Sequence, residues 1–384
     1  MLTPSLDRTL DTCFSTVRSL RCSRIALATT LAAFAIPAAA QAATVELEGT
    51  TLKYRGAAGQ LNSLNVTMVG SAVEIKDFAG LTSRTNLCAN VTTATVRCAI
   101  GVVQRIDADL GDRNDATSIR TPVPVVVKGG SGNDSFAGGN GPTATNIAYH
   151  GGIGTDVMTY AFADRGVVVN TTNFFTADGR RGLDRDNVMD DVEVIRGSDF
   201  ADELADFGQG GPKTLDGNLG DDLLRAGLEQ HTTTFDMNAA VDGADRVVVP
   251  ANTPFPVLDY SKRTQKIKVT VDHNGNDDGA FGEGDEIIGV SRILGGQAAD
   301  TLKASPASTV GVSYEGGPGG DTLEGAAGPD FLRGGDGVDT LIGNNGNDHL
   351  DARDAFSDIV GCGIGTDTAI LNASDVFASC ENRP

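Results

Sequence analysis

A nine-residue repeat constrains the fold of this chain more than any other feature. Residues 316–351 divide without a gap into four nonapeptides, GGPGGDTLE, GAAGPDFLR, GGDGVDTLI and GNNGNDHLD. All four have glycine at positions one and four, aspartate at position six and leucine at position eight. A flexible glycine-rich linker would not need leucine in phase with aspartate. The period therefore indicates a stack of short structural units that bury a shared core.

The pattern Gly-Gly-x-Gly-x-Asp-x-U-x, with U a large apolar residue, resembles the RTX, or haemolysin-type, calcium-binding repeat. The resemblance implies that six residues form a turn and three form a short strand. Successive strands would alternate between two parallel sheets, with calcium between stacked turns. Turns on one side would then come from alternate repeats, so Asp321 would share ions with the turn of Asp339, and Asp330 with that of Asp348. The eighth-position leucines would face the interior: Leu323, Leu332, Leu341 and Leu350.

Single copies of the repeat recur outside the tandem block. The clearest are GGSGNDSFA and GGIGTDVMT, and weaker copies begin at Gly197, Gly217, Gly295 and Cys362. We therefore predict an all-β fold, a parallel β-roll or β-helix solenoid with β-rich insertions and a small N-terminal β unit. The predicted parts are an export signal at 1–42, an N-terminal β unit at 43–128, interrupted repeats at 129–313, and a tandem roll with its cap at 314–384.

The repeats supply the candidate metal ligands. Ca²⁺ takes six to eight oxygen ligands from carboxylates and carbonyls, and glycine lets a turn aim its carbonyls at a cation. Calcium ions are thus the expected cofactor and partner. The predicted ligands are the sixth-position aspartates and nearby glycines, namely Asp134, Asp156, Asp222, Asp300, Gly317, Gly319, Asp321, Gly328, Asp330, Gly335, Gly337, Asp339, Gly346, Asp348 and Asp367.

A second, longer repeat relates residues 160–204 to 260–302. Both copies open on tyrosine, continue into a strand-like run and an Asp-Gly loop, and end in a nonapeptide-like unit. We interpret 160–206 and 260–302 as β-rich excursions from the roll. The loop at 272–285 nearly fits an EF-hand loop, but Ile267, Val269 and Val271 alternate with polar residues as in a strand. The alternatives are a calcium-binding loop and an ordinary acidic turn.

The segments that flank the repeats are predicted to be β-structured. Residues 44–128 contain alternating and β-branched runs, which favour an antiparallel unit with a hairpin. The run from Asp109 to Asp115 resembles a degenerate first turn of the roll, with ligation or plain turn chemistry as alternatives. At the other end, a covalent cap would cover the exposed strand edges of a solenoid.

The N-terminus and the cysteines indicate export. Three arginines precede an apolar stretch from Ile25 to Ile36, and Ala-Gln-Ala before Ala43 is typical of a cleavage site. A membrane anchor is the alternative, but the stretch is short for a span. Four cysteines follow, and in an exported chain they favour disulfides 88–98 and 362–380 over a zinc site. We expect an extracellular or cell-surface location.

Charge and motifs narrow the function. The net charge of −21 disfavours a nucleic-acid partner. We find no H-E-x-x-H, G-x-S-x-G or P-loop, and expect no enzyme activity. The leading hypothesis is an exported calcium-binding protein with a structural or surface role. The alternatives are a calcium-dependent adhesin with a cell-surface or polysaccharide partner, a secreted toxin, and a region accessory to a hydrolase.

Overall fold

Along the repeats and outside the excursions, consecutive strands alternate between two sides of one hydrophobic core. The computed structural model describes residues 42–172, 177–228, 230–254, 256–271, 275–305 and 308–384. The described residues are nearly all β, and they contain one short 3-10 turn at Ile100–Val102. Within these ranges, no helix has the length and apolar character needed to cross a membrane. The predicted export signal at 1–42 lies outside the described residues except for Ala42.

The strands are short, and most contain three to six residues. Those before the first excursion are β1 Ala43–Glu48, β2 Thr51–Arg55, β3 Ser63–Val69, β4 Ala72–Asp77, β5 Leu81–Ser83, β6 Cys88–Thr92, β7 Thr95–Ala99, β8 Arg105–Asp112, β9 Ala116–Arg120, β10 Val125–Ser131, β11 Ser135–Ala137, β12 Ile147–Ile153 and β13 Val157–Thr159. The middle part contains β14 Val167–Asn170, β15 Gly179–Arg180, β16 Asn187–Val188, β17 Val194–Arg196, β18 Glu203–Asp206, β19 Lys213–Asp216, β20 Leu223–Ala226, β21 Thr233–Asp236, β22 Arg246–Val248 and β23 Val257–Asp259. The last part contains β24 Ile267–Thr270, β25 Gly279–Ala280, β26 Glu286–Ile288, β27 Arg292–Leu294, β28 Thr301–Lys303, β29 Ser313–Pro318, β30 Thr322–Glu324, β31 Phe331–Asp336, β32 Thr340–Ile342, β33 His349–Asp351, β34 Ile359–Gly361, β35 Thr368–Ile370 and β36 Val376–Ala378.

One long sheet forms one side of the core and three shorter sheets form the other. The long sheet has 16 strands in the order β35-β33-β31-β29-β27-β23-β21-β19-β17-β13-β11-β9-β3-β4-β7-β6. The first short sheet is β16-β12-β10-β8-β2-β1-β5, the second is β15-β14-β18-β20-β22-β26, and the third is β25-β24-β28-β30-β32-β34-β36. Nearly all pairs along the repeats are parallel, which confirms the predicted β-roll solenoid.

The tandem repeats show why the sequence folds this way. Strands β29 to β36 alternate strictly between the long sheet and the third short sheet. Each repeat's eighth residue is the second residue of its strand, and Leu323, Leu332, Leu341 and Leu350 are all fully buried. Leu332 pairs with Tyr314 and Leu350 on its own sheet. The predicted inward-facing leucines are therefore confirmed, and the nine-residue period equals one turn plus one strand.

The N-terminal segment is joined to the solenoid rather than separate from it. The predicted antiparallel pairing holds for β1 with β2 and for β3, β4, β7 and β6 in sequence. However, β2 pairs in parallel with β8, and β3 pairs in parallel with β9. The described residues belong to one compact unit, and the long sheet has strands on both sides of the predicted boundaries near residues 128 and 313. The three-part division of the chain by repeat content stays a prediction.

Two disulfides join the predicted cysteine pairs. Cys88 and Cys98 are direct partners across the β6–β7 hairpin. Cys362 and Cys380 close the last turns, where the N–H of Cys362 also donates to the carbonyl of Ala378. The second disulfide holds the final strand of the third short sheet in place. This is the covalent cap that the sequence predicted.

The two excursions occur where one short sheet ends and the next begins. In the first, β14 starts the second short sheet while β16 ends the first, although β13 and β17 are neighbours in the long sheet. The second excursion repeats this with β24 and β26 between β23 and β27. In both, an antiparallel hairpin is closed by an aspartate pair, Asp178 with Asp186 and Asp278 with Asp285.

A buried arginine occupies each excursion, but it comes from different positions in the two copies. In the first copy, Arg180 pairs with Asp184 at 2.9 Å and also donates to the carbonyls of Gly141 and Thr143. In the second, the residue one hundred positions after Arg180 is Ala280, whereas the residue one hundred after Ala163 is Arg263. Its guanidinium is bound by Glu283 and by Asp242.

Both arginines therefore neutralise the acidic residue of the hairpin turn. Glu283 and Asp184 each accept the N–H of the residue at the start of that turn, Ala280 and Arg180. The second hairpin has one residue fewer between its paired aspartates. Its turn carries Glu283, whose side chain is one methylene longer than that of Asp184. The chain thus places a guanidinium beside the acid of the hairpin turn from two different positions, strand β15 in the first copy and the loop before β24 in the second.

Replacing Arg180 by alanine should destabilise the chain, and Ala163→Arg should recover part of the loss. The single change leaves Asp184 buried without its ion-pair partner, which costs about 3–5 kcal/mol in the free energy of unfolding. Ala163→Arg then supplies a guanidinium from the position that the second copy uses. Chemical denaturation of the single and double variants measures this. A double variant no more stable than Arg180→Ala would contradict the equivalence.

Candidate metal centre

Sixth-position aspartates on the same side of the roll are joined through their own backbones. The N–H of Asp321 donates to Oδ1 of Asp339 at 2.8 Å, and the N–H of Asp330 donates to Oδ1 of Asp348 at 2.9 Å. The separation of 18 residues is two repeats. The structure therefore brings together the turns that the sequence predicted to be neighbours. We call such a series of carboxylate-to-amide bonds an aspartate ladder.

The described residues contain four aspartate ladders. Each starts at a backbone N–H that is not part of an acidic turn and then runs through successive carboxylates. The first contains Asp115, Asp134, Asp156 and Glu193, and the second contains Asp202, Asp222, Asp245 and Asp285. The third contains Asp300, Asp321, Asp339, Asp358 and Asp375, and the fourth contains Asp330, Asp348, Asp367 and Glu381.

Many ladder carboxylates have one oxygen bound and the other without a partner. Oδ1 of Asp339 accepts the N–H of Asp321, but its buried Oδ2 has no hydrogen-bond partner among the described residues. A buried ionised carboxylate without a partner costs several kcal/mol, so such an oxygen is suited to bind a cation. The same holds for Oδ2 of the following nonapeptide aspartates: Asp134, Asp156, Asp222, Asp321, Asp348 and Asp367.

First-position glycines leave space beside these oxygens. A Cβ added to Gly334 would overlap Oδ2 of Asp339, and one added to Gly343 would overlap Oδ2 of Asp348 and the carbonyl of Cys362. Carboxylate and carbonyl oxygens thus converge on a place that a side chain would fill. Hard oxygen donors in this number suit Ca²⁺, which neutralises the carboxylates and ties adjacent turns together when bound. The residues present therefore fit the predicted ion.

All predicted aspartates lie in ladders and are buried, but they are not equivalent. Asp300 and Asp330 differ from the others because a backbone N–H within the turn occupies their second oxygen: Gly296 donates to Asp300, and Ala326 donates to Asp330. Five of the predicted glycines have positive φ angles, whereas Gly328 does not; the five are Gly317, Gly319, Gly335, Gly337 and Gly346. Calcium ligation by the individual residues stays a prediction.

Sequence analysis missed several members of the ladders. Asp358 has no glycines before it, and Glu193 and Glu381 replace the expected aspartate at ladder ends. Asp245 follows an insertion, and Asp285 belongs to the second excursion. Of these, Asp358 carried a usable signal, because it lies ten residues after Asp348 and nine before Asp367. A search that tolerated one inserted residue would have found it.

A third carboxylate joins the third ladder at its irregular step. Oxygens of Asp339, Asp354 and Asp358 lie within 4.8 Å of one another. Asp339 and Asp358 are fully buried, and each has an Oδ2 without a partner among the described residues. Asp354 comes from the segment that replaces a glycine pair, and its Oδ2 accepts the N–H of Gly337 at 2.8 Å. This place is therefore the most acidic candidate cation site on the ladders described here.

Burial raises the pKa of several ladder aspartates. Loss of solvent raises the pKa of Asp321 to about 7 and the pKa values of Asp339 and Asp348 to about 6. Burial, together with the neighbouring Asp245, raises the pKa of Asp222 to about 9. The cause is the same in each case, because a carboxylate charge is disfavoured where water is excluded and other carboxylates are near.

Two acids of the loop at 272–285, Asp278 and Asp285, accept hydrogen bonds from residues outside the loop. Asp278 accepts the N–H of Thr270 at its Oδ1, as Asp178 accepts that of Asn170 in the first copy. Asp285 accepts the N–H of Asp245 and the hydroxyl of Tyr260. The first residues of the loop, 272–274, lie outside the described residues. The EF-hand interpretation therefore stays a prediction.

Comparison with protein families identifies the repeat itself. The model of the RTX calcium-binding nonapeptide repeat matches in four copies, at residues 126–142 and 315–350. These matches contain Asp134 and the aspartates of the tandem block. No curated protein matches the chain.

Calcium affinity should fall as the pH is lowered from 8 to 5, and binding near pH 6 should release protons. Ligation requires ionised carboxylates, whereas the folded chain holds protons on Asp321, Asp339 and Asp348 up to about pH 6 to 7. Calorimetry in two buffers of different ionisation enthalpy measures the protons released. Equal affinity at pH 5.5 and pH 8 would contradict the assignment.

The same pKa shifts determine how the stability of the calcium-free chain changes with pH. A folded-state pKa above the unfolded value of about 3.9 means that the folded chain binds more protons. The resulting stability is complete below about pH 4 and is lost as the pH rises through about 6 to 7. Denaturant titrations in chelator should therefore give a lower unfolding free energy at pH 8 than at pH 5. The opposite slope would show that these carboxylates ionise more readily in the folded chain than in the unfolded chain.

Asp354→Asn should weaken cation binding at the three-carboxylate place by roughly tenfold, because calcium affinity depends on the number of charged ligands. Asp336→Asn is the matched control, since Asp336 is an exposed acid that also acts electrostatically on Asp339. Calcium or terbium titration of both variants compares them. Equal weakening by the two changes would mean that Asp354 acts only through long-range charge.

Proposed function

Because the chain carries RTX calcium-binding nonapeptide repeats, we propose that it is an exported protein whose β-solenoid is completed and rigidified by calcium outside the cell. Its role is structural, in the medium or at the cell surface. Calcium neutralises the ladder carboxylates, and neutralisation converts a strained stack of acidic turns into a stable one. The proposal concerns the whole described solenoid, of which the matched repeats are the most regular part.

The observation that carries this proposal is the set of buried, unpartnered Oδ2 atoms along the ladders. They belong to seven nonapeptide turns and to the irregular turn of Asp358. At four of these turns a backbone carbonyl lies beside the same space, next to Gly129, Gly151, Gly316 and Gly343, and at Gly343 it is the carbonyl of Cys362. One such carboxylate could be held neutral by a proton. A column of them at neutral pH is better explained by cations, since like charges at this spacing oppose folding.

Export is supported by the cysteines as well as by the predicted leader. Both described cysteine pairs are joined, and no described cysteine is left as a thiol. Structural disulfides persist in oxidising compartments. Calcium sites of extracellular modules bind in the range of about 10⁻⁴–10⁻³ M, which suits a fold that becomes rigid only after it leaves the cell.

A calcium-dependent adhesin is the second candidate. A groove of about 620 Å³ lies along the second excursion and is lined by Lys266, Lys268, Asp277 and Phe281, among others. The ring of Phe281 is fully exposed at the tip of the hairpin. An exposed aromatic beside lysines is a reasonable contact for a polysaccharide or a surface protein. Calcium-dependent binding of the chain to cells or polysaccharide would favour this role over a purely structural one.

Calcium should raise the thermal stability of the chain, and magnesium should do so much less. A ligand at 100 times its Kd stabilises the folded state by about 2.7 kcal/mol per site, and several sites act together here. Magnesium requires a tight octahedral shell that these turns do not offer. Circular dichroism during heating, in calcium, magnesium and chelator, makes the comparison. No shift in Tm and no gain of β signal at millimolar calcium would refute calcium-dependent rigidification.

A further inference from the structure

The nonapeptide turns fall into two classes by what binds the second oxygen of the aspartate. In an open turn, Oδ2 is buried and has no partner among the described residues. In a closed turn, Oδ2 accepts the N–H of the turn's own second residue. The open turns are those of Asp134, Asp156, Asp222, Asp321, Asp339, Asp348 and Asp367. The closed turns are those of Asp202, Asp300 and Asp330.

The backbone at the second residue of the turn separates the classes. In every open turn this residue has a positive φ, for example 112° at Gly335 and 71° at Asn344. In the closed turns it is Ser198, Gly296 or Ala326, and none of the three has a positive φ. Their N–H groups instead reach Oδ2 at 2.5 to 2.7 Å. The left-handed conformation, which glycine and asparagine adopt most readily, therefore leaves the carboxylate free.

Closed turns also share a position in the fold, because each begins an aspartate ladder. In each, Oδ1 accepts a backbone N–H from an apolar residue. The donor is Val167 for Asp202, Ile267 for Asp300 and Val312 for Asp330. The three donors stand where a ladder aspartate would stand in the preceding turn. A closed turn thus has no ladder carboxylate before it with which it could share an ion.

In the remaining ladder, both oxygens of the first carboxylate also have donors, and these donors come from one asparagine. Asp115 accepts the backbone N–H of Asn62 at 2.6 Å, and the side-chain amide of Asn62 lies within 3.4 Å of both carboxylate oxygens. The first carboxylate of every ladder is therefore held by protein donors on both oxygens. Unpartnered oxygens begin only at the second step.

After two of the three closed turns, an asparagine of the next turn donates to the closed turn. Asn218 follows the closed turn of Asp202 and donates its side-chain N–H to the carbonyl of Ser198 at 3.0 Å. Asn344 follows the closed turn of Asp330 and donates to the carbonyl of Gly325 at the same distance. The two asparagines thus connect the closed turn to the first open turn of the ladder, while keeping the left-handed conformation that opens their own aspartate.

We propose that calcium binds only at the open turns, and that the carboxylates of Asp202, Asp300 and Asp330 are metal-free caps that begin the columns of ions. This inference rests on the proposed function. In a closed turn, two backbone N–H groups already supply the positive partners that the cation supplies in an open turn. The second residue of the nonapeptide thus decides whether its aspartate serves a cation or the backbone.

The test compares neighbouring aspartates of one ladder in the full chain. Asp330→Asn removes a cap, and Asp348→Asn removes an open-turn carboxylate. Calcium per chain is counted by calorimetry and by elemental analysis after dialysis. We expect Asp330→Asn to bind as many calcium ions as the unchanged chain, and Asp348→Asn to bind at least one fewer.

Stability in chelator gives a second readout, in which the two changes differ in sign. Asp330→Asn should lower Tm, because an amide N–H₂ then faces the N–H of Ala326 or Val312. Asp348→Asn should leave Tm equal or higher, because it removes an unpartnered buried charge. Asp202→Asn and Asp222→Asn provide an independent pair from another ladder if Asp330→Asn does not fold.

Two results would overturn the inference in distinguishable ways. If the cap variants lose calcium as the open-turn variants do, the division into metal-free and metal-binding turns is wrong, while the proposed function stands. If the unchanged chain binds no calcium at millimolar concentration, the proposed function fails and the inference fails with it.

Discussion

The hydrogen bond from the backbone of one aspartate to the side chain of another is the interaction on which this solenoid depends. Asp321, Asp339 and Asp358 form such a series, with each N–H donating to the next Oδ1 at 2.8 Å. The bond fixes the register between turns two repeats apart and holds the parallel strands together at their entry. It also uses one carboxylate oxygen and leaves the other for a cation. The structure thus couples strand register to charge neutralisation, because the same side chain serves both.

The ladders also explain how the solenoid tolerates interruption. At each excursion a short sheet ends, and a buried arginine pairs with the acidic residue of the hairpin turn. Arg180 comes from a strand and is bound by Asp184, whereas Arg263 comes from a loop and is bound by Glu283 and Asp242. A fixed internal cation does not depend on the medium. The hairpin acids Asp184 and Glu283 are therefore neutralised by the chain itself, whereas under our proposal the open turns are neutralised by ions from outside.

Much of the fold could be predicted from the sequence because the repeat determines it directly. The leucines at position eight, the alternation between two sides and the pairing of Asp321 with Asp339 all follow from a period of nine residues. The parallel pairing of β2 with β8 could not be predicted, since residues 44–128 alternate as any half-buried strand does. The difference between Asp330 and Asp339 was also hidden, because it depends on the φ angle at Ala326 and Gly335 and not on the aspartate. Asp358 was missed because one inserted residue displaces it from the period.

The preference for aspartate over glutamate follows from the same ladder geometry. The sequence contains 40 aspartates and 11 glutamates. A carboxylate that must accept an N–H from the adjacent parallel turn, while standing over its own first-position glycine, needs the short side chain. Glutamate enters the ladders only at their ends, at Glu193 and Glu381. Outside the ladders, the shorter second hairpin carries Glu283 where the first carries Asp184. At ladder positions, the length of the acidic side chain therefore matters as well as its charge. A glutamate within a ladder would move its free oxygen out of the place where carbonyls converge.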